Sequence, residues 1–466
     1  MLHRTTKNVL IAGAFAMIAA LIGVYGQLAS RDLGYATPQQ VSDRPQVHEP
    51  TPSTGSTNTE SREALGRAPT PVSVLIENLA RGADLAVAIR AKDYRRATEI
   101  AAAATQATPQ QESWRIVLGE VFICQERWPE AIESFNAAKI ANPKSLTAEV
   151  GIADVLRVTG NAATAEQKYT EVLKTSPNFR ASFGMGCIRM EGRSFAEAIP
   201  HFRASIEAEP QTAAYINMAQ CYARVGDLGS AEASYRKLVE TEPDSSRFHS
   251  LLAHCLLTRG LGVEATVQFR AALRLDPNDS SYHFGLGKAL ELQADQADHA
   301  IQEFRRAAEL DPTSAASFEE WARVLRAQNN PRDALGVYRR GLEESPHAAT
   351  LLWEYGNTLA EVEGSRDAID TIRKYLDKAG DVAAGRNVLG HLQYDFRKDY
   401  RSAAREFSAA RNLDATNGAY WWNSALCYER LGENNEAVVA YRRASELSAD
   451  YRDRVESALG RIQRLK

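Results

Sequence analysis

Several kinds of chemistry are missing from this chain of 466 residues. It has five cysteines, no Cys-x-x-Cys pair and no His-Glu-x-x-His, so neither common zinc spacing is present. No glycine-rich phosphate loop follows a strand, and Gly184 to Gly186 is too short a match to carry that meaning. A Gly-x-Ser-x-Gly nucleophile elbow is absent, and no stretch reads as a convincing strand. Charge of one sign is also lacking. Lysine and arginine number 55 against 59 aspartates and glutamates, a net charge of −4, which removes any bulk electrostatic case for nucleic acid. The nine histidines are scattered. These absences argue against an enzyme and against a resident metal or cofactor.

What is present is a repeat. In the stretch from Ser246 to Pro277, Leu252, Ala253 and Leu256 mark one helix. Gly260 breaks it, and Ala265, Phe269 and Ala272 mark a second, ended by Pro277. Apolar residues three and four apart put one face of each helix inward. Small residues at Ala253 and Ala265 let the helices approach closely. Gly260 tolerates positive φ at the turn, and Pro277 cannot continue a helix. The same frame gives Ala131, Phe135, Ala138 and Pro143, then Ala165, Tyr169, Val172 and Pro177. It recurs through Ala198/Phe202/Pro210, Ala231/Tyr235/Pro243, Ala300/Phe304/Pro312 and Ala334/Tyr338/Pro346. The terminal prolines fall 33 to 35 residues apart. Matching first helices carry Leu118-Gly119, Ile152-Ala153, Met218-Ala219 and Leu286-Gly287.

This small/large/small/Pro pattern resembles the tetratricopeptide repeat, a helix-turn-helix unit. Good units cover residues 112–346 and 418–449, and degenerate ones 78–109, 349–380 and 384–415. The second degenerate unit lacks its proline and the third has one inserted residue. With about eleven units the resemblance implies an all-α, right-handed superhelical solenoid over 72–449, leaving no room for a catalytic domain. Residues 450–466 form a capping helix with Val455, Leu459 and Ile462 on its apolar stripe. Cys221, Cys255 and Cys427 follow the small residue of the first helix by two, and Cys187 lies within one residue of that place. They read as compact core hydrophobes. Equivalent sites in adjacent repeats are expected about 8–10 Å apart, beyond disulfide reach.

Residues 1–30 open with Arg4 and Lys7 and continue as a nearly unbroken apolar run from Val9 to Tyr25. A membrane anchor and a cleaved signal peptide both fit. The charge placement keeps the N-terminus cytoplasmic and exports the remainder. Residues 31–71, with six prolines, read as a disordered spacer or a cleavage-prone tail. Asn278-Asp279-Ser280 matches a glycosylation triplet.

In the family that the chain resembles, partner peptides lie in a concave groove lined by first helices. By register, outward positions three before the small residue hold Ile116, Phe183, Ile216, Phe284, Trp353 and Trp422. Another outward row holds Asp154, Lys288 and Arg323. Arg157, Arg224 and Arg326 lie nearby, balanced by Glu120, Glu291, Glu320 and Glu354. Apolar groups expected to face water mark a docking surface, and tryptophan is enriched at interface hot spots. The alternative is that Trp353 and Trp422 pack against the degenerate repeats. The expected function is a membrane-tethered scaffold that binds a protein or peptide in its groove for assembly of an envelope or secretory complex. No nucleic acid, small-molecule substrate or cofactor is expected. A secreted carrier binding polysaccharide through Trp353, Trp422 and Phe284 is the second reading.

Overall fold

A computed structural model describes residues 82–464. The expected anchor and spacer lie outside the described residues. These residues are helical hairpins throughout, with no strand among them. They form two compact units, one ending at Arg259 and the other beginning at Gly260. In the first, helices run in order from Gly82–Arg90 to Ser246–Thr258. In the second they run from Gly262–Leu275 to Arg452–Arg464. No helix among the described residues is long and apolar enough to cross a membrane.

The hairpins close because a large side chain of the second helix enters a space where first helices carry only glycine or alanine. Phe135, fully buried, lies over both Gly119 of its own first helix and Gly151 of the next. A methyl group placed on Gly119 would sit 2.8 Å from the Phe135 ring, and one on Gly151 at 2.6 Å. Phe202 over Gly186, Phe304 over Gly287 and Phe407 over Gly390 repeat the arrangement. Core clusters accordingly run from hairpin to hairpin rather than around one centre. One joins Ile116, Phe135 and Ile152, the next Val150, Tyr169 and Met185, and the next Phe183, Phe202 and Cys221. Each cluster shares a helix with its neighbour, as the quasi-one-dimensional packing of repeat proteins requires.

The turns inside the hairpins share one left-handed residue. It is Gly160, Gly226, Gly260 and Gly432, with φ of 75° to 91°, and elsewhere Glu126, Arg193 or Asn329, with φ of 58° to 61°. It falls seven residues after the small residue of the first helix in each of these hairpins. In three hairpins it falls one residue later, at Asp295, Gly364 and Lys398. In the hairpin containing Lys398, helix Ala383–His391 runs on into a π-helical turn, Leu392–Phe396, before Tyr400–Leu413 begins. A π turn absorbs one extra residue without breaking the helix, so the insertion expected in 384–415 has become a local widening of the helix.

The other degenerate repeats also form hairpins: Gly82–Arg90 with Tyr94–Ala107, and Ala349–Val362 with Ser365–Ala379. In the latter, Gly380 at φ 98° ends the helix where others have proline. The final hairpin lacks its proline too, and Ala449–Tyr451 makes a 3-10 turn into the last helix. Val455, Ala458 and Ile462 of that helix are buried, and Arg461 donates to Glu429 at 3.1 and 3.2 Å, so it closes the end of the stack.

The four cysteines read as core residues are buried free thiols. Burial pushes Cys187 and Cys221 up to about 12 and Cys255 to about 11, which leaves them unreactive thiols at neutral pH.

The turn geometry makes a stability prediction. An ordinary residue in the left-handed region costs about 1–2 kcal/mol, offset in part by the lower freedom of its unfolded chain. Glu126→Gly is therefore expected to stabilise the hairpin by about 0.5–1 kcal/mol. Gly160→Ala should destabilise its own. Urea midpoints check both, and a lowered midpoint for Glu126→Gly would contradict the turn assignment.

Candidate partner-binding face

Three of the expected docking residues do not face solvent. Ile116, Phe183 and Trp422 are buried, as is Ile216. The register places these side chains on the outward row, but the second helix of their own hairpin and the element that follows it cover them. Ile116 lies in one cluster with Phe135 and Ile152. Phe183 meets the Phe202 ring edge-on at 5.6 Å. Trp422 is enclosed by Tyr441 at 4.9 Å and stacks on Tyr451 at 5.3 Å, beside the capping helix. The tryptophan thus packs the C-terminal end of the stack, its ring against Tyr441 of its own repeat and Tyr451 beyond it.

Phe284 and Trp353 remain half-exposed. Phe284 rests edge-on against Phe304 at 5.6 Å. Trp353 stands perpendicular to the His391 ring at 4.4 Å. Between and beside them, charged residues of three successive first helices pair with one another. Lys288 donates to Glu291 at 3.2 Å and to Glu320 at 3.1 Å. Arg323 bridges Glu320 at 2.6 Å and Glu291. Arg326 donates to Glu354 at 2.5 Å and to Glu361 at 3.2 Å. Burial alone would raise the Glu291 carboxyl, but Arg323 and Lys288 hold it below its ordinary value. Phe284, Trp353, Lys288, Arg323 and Arg326 thus belong to one face of the C-terminal unit.

The N-terminal unit has its own charged seam, and here the charges are buried. Arg180 donates to Glu120 at 2.6 Å and to Asp154 at 2.5 Å. Tyr169 donates its hydroxyl to the same aspartate. Arg157 donates to Glu191 at 2.6 Å. Burial would lower the Arg180 pKa, yet Asp154 and Glu120 raise it above the ordinary value. Removing the guanidinium would leave two carboxylates without it, and breaking a buried pair this way costs about 3–5 kcal/mol. Sequence reasoning missed Arg180; an arginine among Ala181, Phe183 and Gly184 in an otherwise apolar helix was the available signal. Arg224 stands apart, exposed, with its guanidinium 5.5 Å from the Phe195 ring. Burial and then Arg193 lower its pKa.

A second missed feature lies in the hairpin with the π turn. His391 is fully enclosed between Trp353 and Phe407, whose ring is 5.1 Å away. Its Nδ1 faces Asp395 Oδ2 at 3.2 Å and its Nε2 faces Asn423 Nδ2 at 3.3 Å. Asn423 also donates to Asn387 Oδ1 at 2.9 Å. The pattern calls for neutral imidazole with its proton on Nδ1, donated to Asp395, and its Nε2 lone pair toward Asn423. Burial lowers the His391 pKa from 6.5, and Asp395 only partly offsets this. Among the described residues no group of three or more His, Cys, Asp or Glu is arranged to hold a metal.

The direction of the His391 shift fixes a pH dependence. A histidine with a folded-state pKa below its unfolded value contributes stability above the unfolded pKa and loses it as pH falls. Thermal stability should therefore decline below about pH 6.5, and His391→Gln should make that decline shallower. Melting curves of both proteins from neutral to acid pH check this; identical slopes would remove His391 as the cause.

Models of the tetratricopeptide repeat match this sequence at residues 87–145, 150–214, 264–315 and 320–384, at 190–255, and at 418–451. The first of these models alone covers more than half of the chain. No curated protein matches it. Among solved structures, yeast Tom70 is 14% identical, with 84% of this chain and 95% of that one covered at a TM-score of 0.40. A tetratricopeptide repeat protein from Parabacteroides merdae is 16% identical, covering 53% of this chain and 98% of its own, at 0.37. MamA from Desulfovibrio magneticus is 16% identical, covering 37% and 98%, at 0.34. These scores add no argument to the one made by the repeats themselves. The small/large/small frame, the hairpins it builds and the matching repeat models together make this chain a member of the tetratricopeptide repeat family.

Proposed function

We propose that this protein is a non-enzymatic scaffold that holds a peptide or domain of a partner protein against the first helices of residues 280–362. Tetratricopeptide repeats serve protein–protein interaction in general, and the finer reading rests on one observation. On this face Phe284 and Trp353 are half-exposed beside Lys288, Arg323 and Arg326, whose charges are already neutralised by Glu291, Glu320, Glu354 and Glu361. Apolar side chains of a partner gain by burial against the two rings. The paired charges impose register, because a mismatched partner charge would have to break an existing pair. Arg224 offers a cation in the N-terminal unit. A polysaccharide carrier is less well supported, since Trp422, one of its three aromatics, is buried.

The apolar run of residues 9–25 supports the further proposal that the chain is anchored in a membrane, N-terminus cytoplasmic, with the repeats exported. Assembly of an envelope or secretory complex is the setting this suggests. One experiment addresses both parts. Membranes from cells expressing the full chain are washed with alkaline carbonate, solubilised, and used for affinity capture with wild type and Trp353→Ala. The chain should stay in the washed membranes, and one captured protein should be lost from the variant while its circular dichroism keeps the wild-type helical signal, the melt falling only by what the contact with His391 contributes. Release by carbonate would refute the anchor. Identical captured sets would refute the role of Trp353. Trp422→Ala should instead lower the melt, by about 3–5 kcal/mol of stability for a buried tryptophan.

A further inference from the structure

The charges of the first-helix face are self-paired, so the unpaired cations elsewhere are informative. Two lie on one helix, Pro331–Glu344. Arg332 and Arg340 are exposed and form no ion pair among the described residues. Between them, four residues from each, is Gly336. The three positions lie on one face of the helix. In four other hairpins the place of Gly336, two after the small residue of the second helix, is filled by Glu133, Gln167, Gln302 or Asp370, and in others by Pro200, Ala233, Val267, Arg405 or Val439. At Gly336 an added methyl group would meet nothing within 4 Å. Gly336 borders an open hollow of ≈ 340 Å³ lined by Trp321, Leu325 and Val337 as well as the two arginines. Trp321 is held as its wall by stacking on Phe318 at 6.5 Å. Asp333 also borders the hollow but is held by Asn330, which donates to it at 2.6 Å. The rim therefore keeps two cations against one engaged carboxylate.

The spacing selects an occupant. Eight helical residues separate the arginine Cα atoms by about 12 Å. An extended peptide covers about 13 Å in four residues, and its side chains at positions one, three and five share one face. We propose that the furrow of the 315–344 hairpin docks an extended segment of a partner protein with acidic residues at its first and fifth positions and an apolar residue at its third. The apolar side chain enters the hollow beside Gly336, against Trp321 and Val337. Each carboxylate meets one guanidinium, as fork-shaped donors favour. The furrow lies between the two helices of one hairpin, apart from Phe284, Lys288, Arg323, Arg326 and Trp353, and its occupancy does not depend on the function proposed above.

The test uses the full chain in detergent and a fluorescein-labelled synthetic peptide with a leucine flanked two positions away on each side by glutamate. Fluorescence anisotropy should show binding that weakens with added salt. Gly336→Gln supplies the side chain found in other hairpins at an exposed position, and glutamine favours helix over glycine, so the hairpin is kept while the hollow is filled. That variant should weaken binding by about tenfold or more, and Arg332→Ala and Arg340→Ala should each weaken it and reduce its salt dependence. Replacing the peptide's leucine by serine should weaken binding to a similar degree. Trp353→Ala should leave it unchanged, which separates failure here from failure of the first-helix reading. Unaltered affinity of Gly336→Gln would overturn the proposal. So would equal binding of the serine peptide, which would show a site for polyanions in general.

Discussion

A buried ring lodged between helices that carry only glycine or alanine at the point of contact is the constraint on which the structure depends. Phe135 fills the space over Gly119 and Gly151, and neither glycine has room for a methyl group. The contact does two things. It fixes the register between the two helices of one hairpin, and it locks that hairpin to the next. Turn and terminal residues then need only be compatible with an arrangement already set by packing. Glu126 and Lys398 adopt left-handed conformations that their side chains disfavour for that reason. The π turn at Leu392–Phe396 is a similar accommodation: Phe407 keeps its place over Gly390, and the extra residue is taken up by the helix between the contact and the turn.

The same close approach governs the charges. Packed helices stand about 8–10 Å apart, within reach of arginine and glutamate on neighbouring first helices. Salt bridges consequently form across the hairpins, in the open along Lys288, Glu320, Arg323 and Glu291, and buried around Arg180. A partner meeting the open ladder encounters little free charge. It gains mainly from apolar contact, and the pairs act as a filter on what lies beside them. Free positive charge is found instead at Arg332 and Arg340, on a second helix, neither of which forms an ion pair among the described residues.

Much of the fold was legible because its determinants are local in sequence. Ala131, Phe135 and Gly119 mark the hairpin within one repeat, Gly260 marks its turn, and the lengthened spacing before Ala403 marks the π turn. The capping helix showed in Val455 and Ile462. The exposure of the site was less legible. A register places Ile116, Phe183 and Trp422 on an outward row, but whether that row meets water depends on the large rings of the second helix and on the element that follows, which close over it. Trp422 is covered by Tyr451, a residue that follows the last repeat. The buried networks were missed for a related reason. Arg180, Glu120 and Asp154 lie up to 60 residues apart and belong to three first helices. Their only local trace is a charge where apolar or small residues prevail. Asn387, His391 and Asn423 left the same trace, polar groups in helices otherwise committed to the core.

The central claim is that each second-helix ring holds together its own hairpin and the next, and little beyond them. Amide hydrogen exchange of the full chain, read by mass spectrometry for wild type and Phe135→Ala, tests it most directly. The account predicts that protection falls in residues 112–141 and 146–175 together, while residues 262–464 exchange as in wild type. Loss of protection spread evenly along the whole chain, or confined to the helix that carries residue 135, would contradict it.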